Sequence, residues 1–493
     1  MTRHELLRAA GGLSFLALVP AERGFALPYE QRDKSQPAPL LFTALPYLQP
    51  GSHNDTSLVI AWQTDHKPAS FTVKVEGLTE VLTPTRTERL SGEGEDYEMR
   101  FNYAVSVPAL AAGKRFGYKV LMGEKRIAEG WFTTQKPRGM KTRFVAFGDN
   151  SFGDISDRMI AYQAFKALPD FVMNTGDNVY EDGTDDEYAR HFFPVYNAET
   201  AGPRIGAPLL RSVPFYTVIA NHDVHGKDDK KFPVADFKTH ADSLAYFTNM
   251  YLPENGLTGT FAPTLIGPAE SIAHFKACAG SRFPRMGTYS FDYGDGHFLC
   301  LDSNIYVDAN DGALQAYVER DLKASDAPWK FVVFHHPCFN VGADHYAEQH
   351  MRVLSPIFER HGVAIVFHGH EHNYQRTVPL RFAPKETKGA SNVGSKARLV
   401  PGTFTLDRHY DGKTNTKPEG VIYVTTGAGG KHLYDSEWGQ KAQTHPEDGN
   451  LDYMARFVAD RHSLTVIDMD SKALEIKQVD QWGETVDAFR LTR

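Results

Sequence analysis

Apolar, β-branched runs recur through the chain from residue 140 onward, and each ends in Asp, Asn or His. TRFVAFGDN closes on Asp149, DFVMNTGDNVYEDG on Asp177 with Tyr180 three residues later, and PFYTVIANHD on Asn221 and His222. WKFVVFHHP closes on His335 and His336, and VAIVF runs into His368, His370 and His372 of HGHEHN. Short continuous apolar runs read as strands buried on both faces. Helical stretches alternate with them, among them MIAYQAFKAL, DGALQAYVERDLKAS and AEQHMRVLSPIFERHG. That alternation predicts an α/β domain, which opens its ligand cleft where strands end. Asp154 and Asp157 are placed to cap the first of these helices.

Residues 39–136 follow another rhythm. SLVIAWQT, SFTVKVEG, RFNYAVSV, FGYKVLMG and AEGWFTT are short strands separated by turn signals. They predict a small β-sandwich, with Trp62 as a buried aromatic on an early strand. At the far end SLTVIDMD, ALEIKQVDQ and DAFRLT read as antiparallel strands completing a sheet. Two segments break the α/β rhythm, residues 225–285 and the Pro-, Gly- and Lys-rich 379–419, which is expected to form a hairpin or flap. Insertions beside a site commonly set its access.

A chain of 493 residues exceeds one ordinary core, so two domains are expected. The division is residues 1–26 as an export signal, 27–38 as a linker, 39–138 as the β-sandwich and 140–493 as the α/β domain. The signal rests on the basic start MTRHELLR and the short apolar AAGGLSFLALVPA, which is too brief to span a bilayer. Cleavage fits after Ala21 or after Ala26. RHELLRAAGG is similar to a twin-arginine signal with His4 in place of the second arginine. These features predict a periplasmic or extracellular protein without a membrane span. A net charge of −8 argues against a nucleic-acid surface. The three cysteines, Cys278, Cys300 and Cys338, form no C-x-x-C pair and no disulfide framework.

Hard oxygen donors mixed with imidazoles, and no thiolate, suit iron, zinc or manganese. His370 and His372 are two apart, so a turn between them lets each reach a different metal. The blocks GDN, GDNVY, NHD, the first His of FHHP and GHEH together resemble the five-block pattern of binuclear metallophosphoesterases. Tyr180 in GD-x-x-Y makes the chain more similar to the purple acid phosphatases, and GTYSFDYGDGHFLCLDS (287–303) and GVIYVTTGAGG (420–430) add to the resemblance.

The resemblance implies two β-sheets packed face to face with helices outside, preceded by a fibronectin type III-like domain that supports the catalytic one. It implies two metal ions. Asp149, Tyr180 and His372 would hold Fe(3+), Asp177 would bridge, and Asn221, His335 and His370 would hold Fe(2+), Zn(2+) or Mn(2+). His222 would donate a hydrogen bond or proton beside the phosphoryl group. A further histidine would assist the leaving group, with His345 the candidate and His350 the runner-up. His336 and His368 are expected to pack behind the ligands, and Asp223 and His225 to serve the local turn. The family's usual GNH reads ANH here, with Ala220, a change that matters only if the turn needs a positive φ.

The expected activity is hydrolysis of phosphate monoesters by a metal-bound hydroxide, an acid phosphatase acting on small phosphate esters. A phosphodiesterase or nucleotidase on the same core is the alternative. A non-catalytic binding protein is disfavoured, because the seven expected ligands and His222 are all present. Sequence alone leaves the oligomeric state open.

Overall fold

Phe71, Val73 and Val75 are buried while Lys74 between them is exposed, the period-two pattern of a half-buried strand. The computed structural model describes residues 42–52, 58–65, 67–93, 96–224, 242–259, 265–385, 398–449 and 452–493. The expected export signal and linker, His225, and parts of the two insertions lie outside the described residues. Seven strands come first: β1 (Phe42–Gln49), β2 (Leu58–Thr64), β3 (Phe71–Val75), β4 (Thr85–Glu93), β5 (Asp96–Val107), β6 (Arg115–Met122) and β7 (Lys125–Thr133). They form two antiparallel sheets, β1-β2-β5-β4 and β3-β6-β7. Trp62 is fully buried, stacked on Tyr103 at 5.6 Å and edge-on to Phe71.

The α/β region supplies β8 (Thr142–Phe147), β9 (Phe171–Asn174), β10 (Phe215–Thr217), β11 (Tyr289–Tyr293), β12 (Gly296–Cys300), β13 (Trp329–Val333), β14 (Val363–His368) and β15 (Tyr374–Thr377). It continues with β16 (Leu380–Pro384), β17 (Gly402–Leu406), β18 (Ile422–Thr426), β19 (Met454–Val458), β20 (Ser463–Met469), β21 (Ala473–Asp480) and β22 (Thr485–Thr492). Two mixed sheets result, in the orders β10-β9-β8-β20-β21-β22 and β11-β12-β13-β14-β18-β15-β19. The strands that carry the motifs run parallel within each sheet. Their uninterrupted apolar runs follow from burial on both faces.

An aromatic layer joins the sheets. Phe144 on β8 meets Phe298, Phe331 and Phe367 of the opposite sheet edge-on, with ring centroids 5.3, 5.7 and 6.2 Å away. The helix Ile155–Lys166 packs on β20 and β21, and the helix Gly312–Ala324 on β12. Asp154 is the N-cap of the first, and the Asp157 carboxylate takes the N–H groups of Ser151, Gly153 and Asp154. The C-terminal strands complete the six-stranded sheet as expected.

Two details differ from the sequence pattern. AEQHMRVLSPIFERHG gives no single helix but a 3-10 turn, His350–Leu354, followed by the helix Ser355–Arg360. Pro356 has no N–H to bond the Arg352 carbonyl four residues back, so the α-helical ladder starts only beyond it. Within 379–419, β16 and β17 pair as an antiparallel hairpin.

The small sheets are stitched to the rest, and Phe42–Arg493 form one compact unit. Leu48 N–H donates to the Leu210 carbonyl, and Tyr47 Oη to that of Asn249. The Gln63 amide donates to Asp185 and to Asn249, at 3.1 and 2.7 Å, with both groups buried. No helix among the described residues is long and apolar enough to cross a membrane.

Candidate metal centre

Asp149, Asp177 and His370 each follow a glycine just beyond a parallel strand. All three adopt a left-handed backbone, with φ of 58°, 50° and 71°. Such conformations cost a non-glycine residue on the order of 1–3 kcal/mol and persist where the surroundings impose them. All three preceding glycines are required by space, and a Cβ on Gly148 would lie 2.3 Å from Oγ1 of Thr175. A Cβ on Gly369 would lie 2.5 Å from Oδ2 of Asp149, and one on Gly176, itself at φ 101°, 2.7 Å from Nδ1 of His335. The Gly176 position would also meet the Ala220 methyl at 2.7 Å. Ala220 has no positive φ, so its methyl is accommodated and fills the space that Gly176 leaves.

Hydrogen-bond acceptors fix which ring nitrogens carry protons. His335 Nδ1 lies 2.9 Å from the Thr175 carbonyl, which only accepts, so in the neutral ring the lone pair is on Nε2. His370 Nε2 lies 3.2 Å from Oε2 of Glu348, so its lone pair is on Nδ1. Those two bare nitrogens face each other at 3.2 Å. Oδ2 of Asp177 stands 3.4 Å from His335 Nε2, and the Asn221 Oδ1 is buried without a hydrogen-bond partner. Facing lone pairs beside a carboxylate repel unless a cation lies among them. Without a metal, burial disfavours the His335 cation, but the Asp177 and Asp149 carboxylates outweigh it and push its pKa up to about 9, so that a proton takes that place. Asp177, His335 and His370 bring their donor atoms within 4.8 Å of one another, so this donor set fits a metal ion.

A second set adjoins it. His372 Nδ1 donates to the His432 carbonyl at 2.8 Å, and its bare Nε2 faces the Tyr180 hydroxyl at 3.2 Å and Asp149 Oδ1 at 3.5 Å. The Tyr180 hydroxyl lies 3.3 Å from the same Asp149 oxygen. The His370 N–H donates to both Asp149 carboxylate oxygens at 2.9 Å. Burial pushes the Asp149 carboxyl well above its ordinary range, His335 pulls it down, and Asp177 pushes it up again. Burial, then the Asp177 and Asp149 charges, likewise raise the Tyr180 phenol well above its usual value. Two buried acids and a phenol in contact call for positive charge to offset them.

The remaining expected residues separate clearly. His222 is half-buried, donates Nδ1–H to the Glu181 carbonyl at 2.7 Å, and lies against Tyr180 with ring centroids 4.5 Å apart. His345 lies against His370 at 3.8 Å and donates Nδ1–H to Glu348 Oε1 at 2.7 Å. Burial works against the His345 cation, but the bond to Glu348 and the charge of Glu371 carry its pKa above the ordinary imidazole value. His350 is not beside the ligands. It is buried behind His336, with Nε2 2.8 Å from the Ser303 carbonyl. His336 packs on His370 at 4.4 Å and hydrogen-bonds the Ser303 hydroxyl. His368 is buried between Phe334 and Tyr423. Asp223 accepts from Asn178 and Ala220, bracing two of the ligand loops, and burial pushes it up to about 8.

Several residues at the site are not marked by the sequence pattern, among them Glu348, Lys431 and Phe152. Glu348 joins His345 to His370, and its i,i+3 spacing from His345 was the available signal. Lys431 ends the Gly-rich run after β18 and donates its N–H to the Asp149 carbonyl at 2.9 Å. Phe152 follows Asp149 by three positions and carried no signal.

Residues 142–374 match the family model for calcineurin-like phosphoesterases. The chain contains a calcineurin-like metallophosphoesterase domain. Purple acid phosphatase 17 of Arabidopsis thaliana is 25% identical over 307 residues, covering 58% of this chain and 81% of its own length. Purple acid phosphatase 7 of the same plant is 23% identical over 301 residues, covering 58% and 83%. The structure of a purple acid phosphatase from yellow lupin (Lupinus luteus) seeds shares the fold. It has a TM-score of 0.63 at 16% identity, over 91% of this chain and 74% of that one. The metallophosphoesterase family uses a binuclear metal centre, and in this chain Asp177, His335 and His370 form one group that could hold an ion and His336, Glu348 and His370 another.

Proposed function

We propose that this chain hydrolyses phosphate monoesters as an acid phosphatase of the purple type. The observation that carries the proposal is the pair of bare nitrogens on His335 and His370, facing each other across 3.2 Å beside Asp177 and the unpartnered Asn221 oxygen. Asn221, His335 and His370 would hold a divalent ion, Fe(2+), Zn(2+) or Mn(2+). Asp149, Tyr180 and His372 would hold Fe(3+), and Asp177 would touch both. When bound, two such ions lower the pKa of water and neutralise phosphoryl oxygens in an in-line displacement.

The chain's own residues complete the chemistry. Glu181 fixes the His222 ring through Nδ1, so Nε2 is the atom left to exchange a proton with the ester. Glu348 fixes His345 in the same way, leaving its Nε2 to supply the proton that the departing alkoxide needs. The strands of Phe42–Thr133 would act as a fibronectin type III-like support, and residues 1–26 as the signal for export to the periplasm or beyond.

The test compares kcat/KM for an aryl phosphate monoester and its diester from acidic to alkaline pH, on metal-replete protein with His222→Ala as control. Monoester preference with an acidic optimum supports the proposal. Diester preference or an alkaline optimum replaces it with the phosphodiesterase reading, and no turnover of either ester rejects both.

A further inference from the structure

A continuous arc of aromatic rings borders one side of the metal centre. Tyr180 meets Phe152 at 6.2 Å, Phe152 meets His432 at 6.3 Å, and His432 meets Tyr434 at 5.5 Å. Tyr434 in turn lies flat on His372 at 4.0 Å and reaches His345 at 5.6 Å. The arc therefore runs between two members of one donor set, Tyr180 and His372, with His222 against its first ring and His345 beside Tyr434 at its far end.

Within this arc Phe152 stands out. It is the only exposed phenylalanine among the described residues, at 36%. It is also held firmly. The Lys431 ammonium, 5% exposed, lies 3.5 Å from the centre of its ring and 4.3 Å from that of Tyr180. A buried ammonium against an aromatic face is a favourable and restraining contact. Lys431 is anchored in turn by Glu181 and by its N–H bond to Asp149. The fold thus keeps an apolar ring in water beside the site and fixes its orientation from behind. Solvent exposure of a rigid aromatic surface next to reacting groups is what a ligand ring can exploit by stacking. The charge at the rim sets a further condition. Asp344, next to His345, is an exposed carboxylate that disfavours a second anionic group on the alcohol, whereas the Glu181 charge is taken up by Lys431.

We infer that Phe152 is a specificity-determining residue, and that the preferred ester has an uncharged alcohol with a flat aromatic ring that stacks on it. The inference rests on the phosphatase reading above and deepens it. The test uses benzyl phosphate and cyclohexylmethyl phosphate, whose alcohols are similar in size and both poor leaving groups, and differ chiefly in aromaticity. The ratio of their kcat/KM values is measured for wild-type protein, Phe152→Ala and Phe152→Leu, the last keeping apolar bulk without a ring.

Stacking predicts a wild-type ratio favouring benzyl phosphate by about two- to twelvefold. In both variants the ratio falls toward one, mainly through KM. A wild-type ratio near one, or a preference that survives both substitutions, overturns the inference while leaving the phosphatase intact. Failure of the wild type to hydrolyse either ester overturns the phosphatase reading and this inference with it.

Discussion

Oε2 of Glu348 stands 3.2 Å from Nε2 of His370. Burial raises the Glu348 carboxyl, but His370 and His345 outweigh it and hold the group well below the usual range, so it is ionised. Partners of this kind orient a ligating imidazole and raise its basicity, and losing one typically costs about 10–100-fold in metal affinity. Glu348→Ala is expected to weaken the second metal by that order in competition titrations with a chelator. Glu348→Gln, whose amide oxygen still accepts the proton, retains most of the affinity. Equal affinity in Glu348→Ala and wild type would show that His370 needs no such partner.

Tyr180 tests the identity of the first ion. A tyrosinate on ferric iron gives a visible charge-transfer band, so the iron-loaded protein should be coloured and Tyr180→Phe colourless at unchanged iron content. A band that persists in the variant removes Tyr180 from the ligands.

His345 and His350 are five positions apart but occupy different surroundings, one against His370 and the other behind His336. His345→Ala is expected to lower kcat by about 10²–10⁴-fold for esters of poor leaving groups, the span of a general acid. The loss should shrink for an activated aryl ester. His350→Ala should instead lower the melting temperature and leave that leaving-group dependence unaltered. The reverse pattern would exchange the two assignments.

Stability should depend on pH through His297, which is none of the expected metal ligands. Its Nδ1 and Nε2 lie 2.7 and 2.8 Å from Asp292 and Asp321. Burial disfavours the imidazolium, but those two carboxylates win and push its pKa up to about 9. The folded value exceeds the unfolded one, near 6.5. The stabilisation is therefore full below about pH 6.5 and is lost as pH rises through 9. Roughly 3 kcal/mol is at stake across that window. Denaturant unfolding should show His297→Asn strongly destabilised at pH 6 and close to wild type near pH 9.5. A penalty independent of pH would refute the assignment.

Arg352 is fully buried and makes two bonds to Asp448, at 2.8 and 3.0 Å. Removing one member of a buried pair leaves the other uncompensated, at about 3–5 kcal/mol. Arg352→Met should fall in that range by denaturant midpoint, and the double variant with Asp448→Leu should recover part of the loss. No recovery would indicate that the guanidinium's contacts with Phe339, Phe382 and Phe404 matter more than its charge.

Much of the site could be read from the sequence because its residues share one rule of placement. Asp149, Asp177, Asn221, His335, His370 and His372 each follow an apolar run, and parallel packing brings the ends of such runs together. Glu348 obeys no such rule, and Lys431 and Phe152, although they lie beyond the ends of β18 and β8, are residue types that do not mark a metal site. They reach the site through loop paths decided by tertiary contacts such as Arg398 N–H to the Ala347 carbonyl, which have no period along the chain. The same limit applies to Arg352. A cationic side chain in a helical pattern reads as solvent-facing, and only the approach of Asp448, nearly a hundred residues later, makes its burial tolerable. The extent of the interface around Gln63 was equally invisible, since it depends on which carboxylate and amide lie across it.

The two donor sets draw on both sheets. Asp149, Asp177 and Asn221 follow strands of the six-stranded sheet, while His335, His370 and His372 follow strands of the seven-stranded one. Metal loading would therefore act as a rivet through the seam between them, and the apo protein should be the one in which that seam can slip. The aromatic layer around Phe144 then becomes part of the spacing gauge for the metals. Trimming a ring there would detune ion binding without altering a single ligand.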